Sequence, residues 1–263
     1  MKLLILYDGT LSGRNLLRYG LRRAMRTQDE AVVLTVFRND LFIGYDGFAA
    51  EATARKEFEA NYTYARRLAE SFGKELDVSF YTAEGNVDDA LVMTTRDEHF
   101  DMVLVTPRYS GLQKRIGVPV AVIPGTLLVP VDSSRDVLSI VETVSLEAAE
   151  SQSSVVLVGI IPIHLYSRSE DKELRNLREA TEKALQNMQS SLQDAGVIAE
   201  ATIRSGYPDD EILRAAAECN ASMIFFPGGG KTPSELRKAA HVISSERARS
   251  PWPLVFVASR EGA

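Results

Sequence analysis

The chain has 263 residues, and its 36 acidic against 30 basic side chains give a formal charge of −6. That balance argues against nucleic acid or an anionic membrane as a partner held by net charge. No apolar run reaches the length of a membrane span, and one cysteine, Cys219, leaves no intrachain disulfide. The opening apolar run stops at Tyr7, too short for a secretory leader, so a cytoplasmic protein is expected.

Leu3 to Tyr7 reads as a buried parallel strand, followed by the turn Asp8-Gly9-Thr10 and a helix with Leu17, Leu21 and Ala24 on one stripe. Ala31 to Phe37 is a second strand. A loop follows, then a helix from Glu51 to Phe72 with Phe58, Ala65, Leu68, Ala69 and Phe72 inward, closed by Gly73. Val78 to Tyr81, a helix from Val87 to Glu98, Met102 to Val105 and Pro119 to Ile123 complete the first half. Asp88 and Asp89 fall in a helical first turn, where they complement the dipole. Between the fourth and fifth strands the segment Thr106 to Gly117 is polar and basic, and too short for an ordinary helix with its two turns.

The second half repeats the order. Leu127 to Val131, Val155 to Ile161, Ala199 to Ile203, Met223 to Phe226 and Leu254 to Val257 read as strands. The helices between them carry Val137, Val141, Val144 and Ala148, then Leu174, Leu177, Thr181, Leu185, Met188 and Leu192, then Pro208 to Cys219, and last Pro233 to Arg247. The repeat shows in the letters as well. Leu3-Leu4-Ile5-Leu6-Tyr7-Asp8 returns as Leu127-Leu128-Val129-Pro130-Val131-Asp132, and Gly85-Asn86-Val87-Asp88-Asp89 as Gly206-Tyr207-Pro208-Asp209-Asp210. The reading is α/β: two tandem doubly wound domains, residues 1–125 and 126–263. Each has a five-stranded parallel sheet flanked by helices, the first with its fourth helix missing or short. Ligands of such sheets sit beyond the carboxyl ends of the strands, the rim that holds Asp8, Asp132, Gly111 and the triple glycine.

In Pro130-Val131-Asp132-Ser133, Gly85 and Gly206, the basic loop Arg108 to Arg115 and the closing strands Pro119 to Ile123 and Pro253 to Val257, the chain resembles the universal stress protein family in its tandem form. The resemblance implies a cytoplasmic binding or regulatory module of the stress response, with the two domains paired as an internal pseudo-dimer and a further homodimer compatible with it. It also implies, in the nucleotide-binding branch, ATP with Mg held by the aspartate after strand one and a glycine loop after strand four, whose amides cradle phosphate at a helix N-terminus. Here that loop departs from the family's spacing. Arg108 stands at the first glycine of the first copy, where Gly111 fits the second; Gly228 fits the first glycine of the second copy, where Lys231 takes the second.

Any nucleotide is therefore expected on the second domain, weakly held by Asp132, Gly228, Gly229, Gly230, Lys231 and Thr232, with Asp8, Arg108 and Gly111 as the first domain's candidates. The plain alternatives are that Asp8 and Asp132 cap helices and that the triple glycine is only a turn. Gly230-Lys231-Thr232 ends like a phosphate loop, but Phe225 stands where its first glycine belongs. His99, His164 and His241 form no metal-ligand spacing with Cys219, Cys219 reads as a small buried hydrophobe, and no residue is assigned to catalysis. Two other functions stand beside the first: an ATP-binding protein with slow hydrolysis, and a partner-binding protein that holds no nucleotide.

Overall fold

A computed structural model describes residues 1–42, 48–73, 75–131, 137–166, 171–227, 235–245 and 251–257. Asp132, Gly228, Gly229, Gly230, Lys231 and Thr232 lie outside the described residues. The chain divides into two compact units, Met1–Pro124 and Gly125–Ala263.

The first unit runs β1 (Lys2–Tyr7), α1 (Leu11–Thr27), β2 (Glu30–Phe37), α2 (Phe48–Glu70), β3 (Val78–Glu84), α3 (Val87–Asp97), β4 (Met102–Val105) and β5 (Val120–Val122). Its sheet has the order β3-β2-β1-β4-β5, with every pairing parallel. Leu3, Leu4 and Ile5 of β1 are fully buried because the strand has neighbours on both edges and helices on both faces. Alternation sorts these side chains. Leu4, Leu6, Val32, Leu34, Val103 and Val105 join Val87 and Leu91 of α3 in one core. Ile5 and Leu104 point the other way, under Gly20 of α1.

The second unit runs β6 (Thr126–Val131), α4 (Val137–Ser151), β7 (Ser154–Ile161), α5 (Asp171–Asp194), β8 (Ala199–Ser205), α6 (Pro208–Glu218), β9 (Ala221–Pro227), α7 (Glu235–Ser245) and β10 (Leu254–Val257). Its sheet order, β10-β9-β6-β7-β8, is that of the first unit read from the other edge. Leu128, Val158, Ile224 and Phe226 pack with Ile212 of α6 and Leu236 and Ile243 of α7. Where this unit has α7, the first has only a 3-10 segment, Pro107–Lys114, kinked at Tyr109.

Burial differs from the sequence reading at two places. On α2, Ala65 and Ala69 are buried, but Phe58 and Leu68, and Phe72 in the turn past the helix end, are only half-buried. The helix rests on β2 and α1, and the neighbouring edge strand β3 is itself half-open, so the rim of the stripe stays in water. Cys219 is not inside a helix. It is the C-cap of α6, half-buried at the margin of the second core, where burial pushes its thiol above the usual range.

Candidate functional site

At the rim of the first unit, Asp8 is tied into the start of α1. Its Oδ1 accepts the Thr10 N–H at 3.1 Å and the Thr10 hydroxyl at 2.6 Å. Thr10 is the N-cap, and its Oγ1 accepts the Gly13 N–H at 3.0 Å. The carboxylate lies so close over the first turn that a Cβ on Gly13 would sit 2.2 Å from Asp8 Oδ1. Asp8 is therefore not itself the cap: Thr10 caps α1, and Asp8 braces Thr10.

Beside Asp8, the carboxyl ends of β1 and β2 open into a cleft of about 220 Å³, bounded by α2 through Phe58 and Asn61 and floored by Tyr7, Thr35 and Phe37. Arg38 borders it, and one edge of its guanidinium donates to Asp40: Nε to Oδ1 at 2.7 Å and Nη2 to Oδ2 at 2.8 Å. That hydrogen-bonded pairing holds the Asp40 carboxyl below the usual range. Arg108 and Gly111 do not line the cleft.

The segment after β4 is built differently from a phosphate cradle. Tyr109, Leu112 and Ile116 turn into the core of β1, β2, β4 and α3, and Gln113 Nε2 donates to the Val120 carbonyl at 3.0 Å. Gly111 is exposed, and a Cβ there would meet no protein atom within 4 Å, so packing within the unit does not require glycine at that place. Arg108 lies over the Tyr109 ring at 5.6 Å from its centroid. Arg115 reaches Asp88 at 2.7 Å and Asp89 at 3.6 Å, tying this segment to the first turn of α3. Asn86 caps that helix, accepting the Asp88 N–H at 2.8 Å. Asp8 and Arg108 both act on the Tyr109 phenol, Asp8 raising its pKa and Arg108 lowering it.

Tyr109 and Tyr7 carry pKa values raised above the usual 10.0, with burial as the leading cause in both; Arg14 offsets part of it at Tyr7. The folded values stand above the unfolded one. This contribution to stability is therefore intact below pH 10 and is lost as pH rises through the raised values. In an alkaline titration followed at 295 nm, Tyr7 and Tyr109 should ionise after most of the other tyrosines, and Tyr109→Phe and Tyr7→Phe should each remove late amplitude. Removal of early amplitude instead would contradict the burial.

The second unit offers less to describe at its rim. β6 ends at Val131, β9 at Pro227, and α7 begins at Glu235. The sequence reading missed a ring pair here: His164, after β7, stacks on Tyr207, before α6, with centroids 4.3 Å apart. The sequence did hold a signal for the buried face after β4, since Tyr109, Leu112 and Ile116 follow a helical i, i+3, i+7 spacing inside a basic stretch. Among the described residues no group of three or more His, Cys, Asp or Glu is placed to hold a metal ion, and no helix is long and apolar enough to cross a membrane.

The family model described as the universal stress protein family matches residues 1–121 and again 125–257. The chain belongs to the universal stress protein family. Among solved structures, it is similar to a universal stress protein from Archaeoglobus fulgidus at 16% identity and TM-score 0.45, over 100% of this chain and 97% of that one. A putative universal stress protein from Pseudomonas aeruginosa matches at 16% identity and TM-score 0.42, over 97% and 92%. A universal stress protein from Archaeoglobus fulgidus, solved in complex with dAMP, matches at 18% identity and TM-score 0.39, over 52% of this chain and 99% of that one. No curated protein matches the chain in a sequence search. This universal stress protein thus carries its family's domain twice, with different segments after the fourth strand of each copy.

Proposed function

We propose that this tandem universal stress protein is a cytoplasmic binding or regulatory module of the stress response, without catalysis of its own, and that its two rims have diverged. The first unit is closed to nucleotides, and an adenine nucleotide is held, weakly, by the second. One observation carries the reading. After β4, the first unit has a 3-10 segment whose side chains Tyr109, Leu112 and Ile116 are spent on the core. That leaves no long helix to aim free amides at a phosphate, and Arg38 at the cleft and Arg115 after the 3-10 segment are already paired with carboxylates.

The second unit keeps α7 after β9, so a strand, a glycine-rich stretch and a helix follow in the order that a phosphate site uses. Lys231 would supply a point charge and Asp132 a contact to the sugar. The solved Archaeoglobus protein with dAMP supports an adenine nucleotide as the class to try.

Hydrogen exchange with and without Mg-ATP tests the division. Protection should concentrate in peptides covering 221–257. Protection over 102–122 would overturn it, and no protection anywhere would remove the nucleotide and leave a partner-binding module.

A further inference from the structure

Helix α1 carries Arg14, Arg18, Arg22, Arg23 and Arg26 and no acidic residue, in a chain whose formal charge is −6. Arg14, Arg18 and Arg22 recur at every fourth position and are exposed. At about 100° per residue they fall with Leu11 and Met25 inside an arc of roughly 80°. Leu11 and Met25 are 77% and 45% exposed, one at each end of the stripe. Among the described residues no carboxylate lies within ion-pair distance of Arg14, Arg18 or Arg22. Successive like charges at this spacing repel and destabilise a helix. The sheet does not need them, since α1 is held there by its apolar face through Leu16, Leu17 and Leu21; their contacts within the first unit are with tyrosines and not with carboxylates.

Two of the three guanidinium groups are also held in place. Arg14 lies over the Tyr64 ring of α2 at 4.9 Å from its centroid, and Arg18 Nη2 donates to the Tyr64 hydroxyl at 3.3 Å. Side chains fixed before a partner arrives lose less freedom when it binds.

We propose that this face of α1 docks an acidic helical segment of a partner protein. The partner helix presents carboxylates at three successive fourth positions, with an apolar residue about one turn beyond each end. The rise of a helix sets both spacings, about 12 Å from Arg14 to Arg22 and about 21 Å from Leu11 to Met25. A short segment of this kind meets the stripe alone, because charges farther away are screened beyond about 8 Å at physiological salt. A nucleic-acid duplex, with a charge every 1.7 Å or so, would run off the stripe onto the acidic remainder of the chain. A membrane would find only two separated apolar side chains. The guanidinium fork matches a carboxylate through two parallel hydrogen bonds, and arginine and methionine are enriched where proteins meet. The proposal holds whether or not the second unit binds a nucleotide.

The test uses the full chain and a fluorescein-labelled, alanine-rich peptide with glutamates at three successive fourth positions and a leucine three residues beyond each end. Anisotropy should show saturable binding. The triple change Arg14→Gln, Arg18→Gln and Arg22→Gln should weaken it by about tenfold or more, and Leu11→Ala or Met25→Ala by about threefold. The thermal midpoint should change little, since relief of like-charge repulsion offsets the lost contacts with Tyr64. Arg22→Gln alone, which does not touch Tyr64, gives a separate reading of a few fold should the triple variant not fold. Absence of peptide binding, or peptide affinity unchanged in a folded triple or single variant, would overturn the proposal. So would tighter binding of a DNA duplex or of phosphatidylserine vesicles at the same salt.

Discussion

Gly20→Val should destabilise the first unit by about 2–3 kcal/mol, although glycine is among the poorest residues in a helix interior. Gly20 lies in the buried middle of α1, and a Cβ there would stand 2.6 Å from Ile5 Cδ1 and 3.1 Å from Leu104 Cδ1. Helix and sheet touch at that point with no space between them, and Ile5 and Leu104 are fully buried, so neither can move into water. Alanine is the control. Its single carbon presses on the mobile end of Ile5 while the helix gains up to about 1 kcal/mol, so Gly20→Ala should stay within about 1 kcal/mol of the parent. Urea unfolding, with hydrogen exchange to report the first unit separately, measures both. A valine variant as stable as the parent would mean that α1 does not lie this close to β1 and β4.

Tyr109→Ala should cost the same unit about 3 kcal/mol, the lower end of the range for removing a buried aromatic. The ring is 9% exposed and packs with Leu112, Ile116 and the strand residues of one core. Tyr109→Phe keeps the ring and should cost less than about 1 kcal/mol. The pair separates two roles. A ring that served a ligand at the rim could be lost with little effect on stability, whereas a ring that fills the core cannot. A neutral Tyr109→Ala would reopen the first rim as a binding site.

The βαβ order was legible because nearly every strand is an unbroken apolar run and nearly every helix has its stripe. Leu3 to Tyr7 needed no more than its letters. β3 reads shorter than it is: the apolar run ends at Tyr81, yet the strand continues to Glu84, because its backbone pairs with β2 as far as Phe37↔Glu84. Thr82 and Glu84 are exposed, so hydrophobicity carries no trace of that pairing. The rim was less legible. Asp-Gly-Thr after a strand suits both a ligand contact and a cap, and only coordinates reveal that Thr10 takes the cap with Asp8 behind it. The charges in Arg108 to Arg115 suggested a surface loop and hid the apolar spacing of Tyr109, Leu112 and Ile116. The stripe on α1 is visible as letters, but its exposure and the bracing by Tyr64 come from a helix 46 residues away in sequence from Arg18.

Nucleotide stoichiometry tests the central claim most directly. The full chain is titrated with Mg-ATP by calorimetry and weighed by native mass spectrometry, alongside Asp8→Ala, Asp132→Ala and Lys231→Ala. The account predicts no more than one nucleotide per chain, an affinity that Asp8→Ala leaves unchanged, and a loss of about tenfold with Lys231→Ala or Asp132→Ala. Two nucleotides per chain, or binding that survives the changes at Asp132 and Lys231 and disappears with Asp8→Ala, would contradict it.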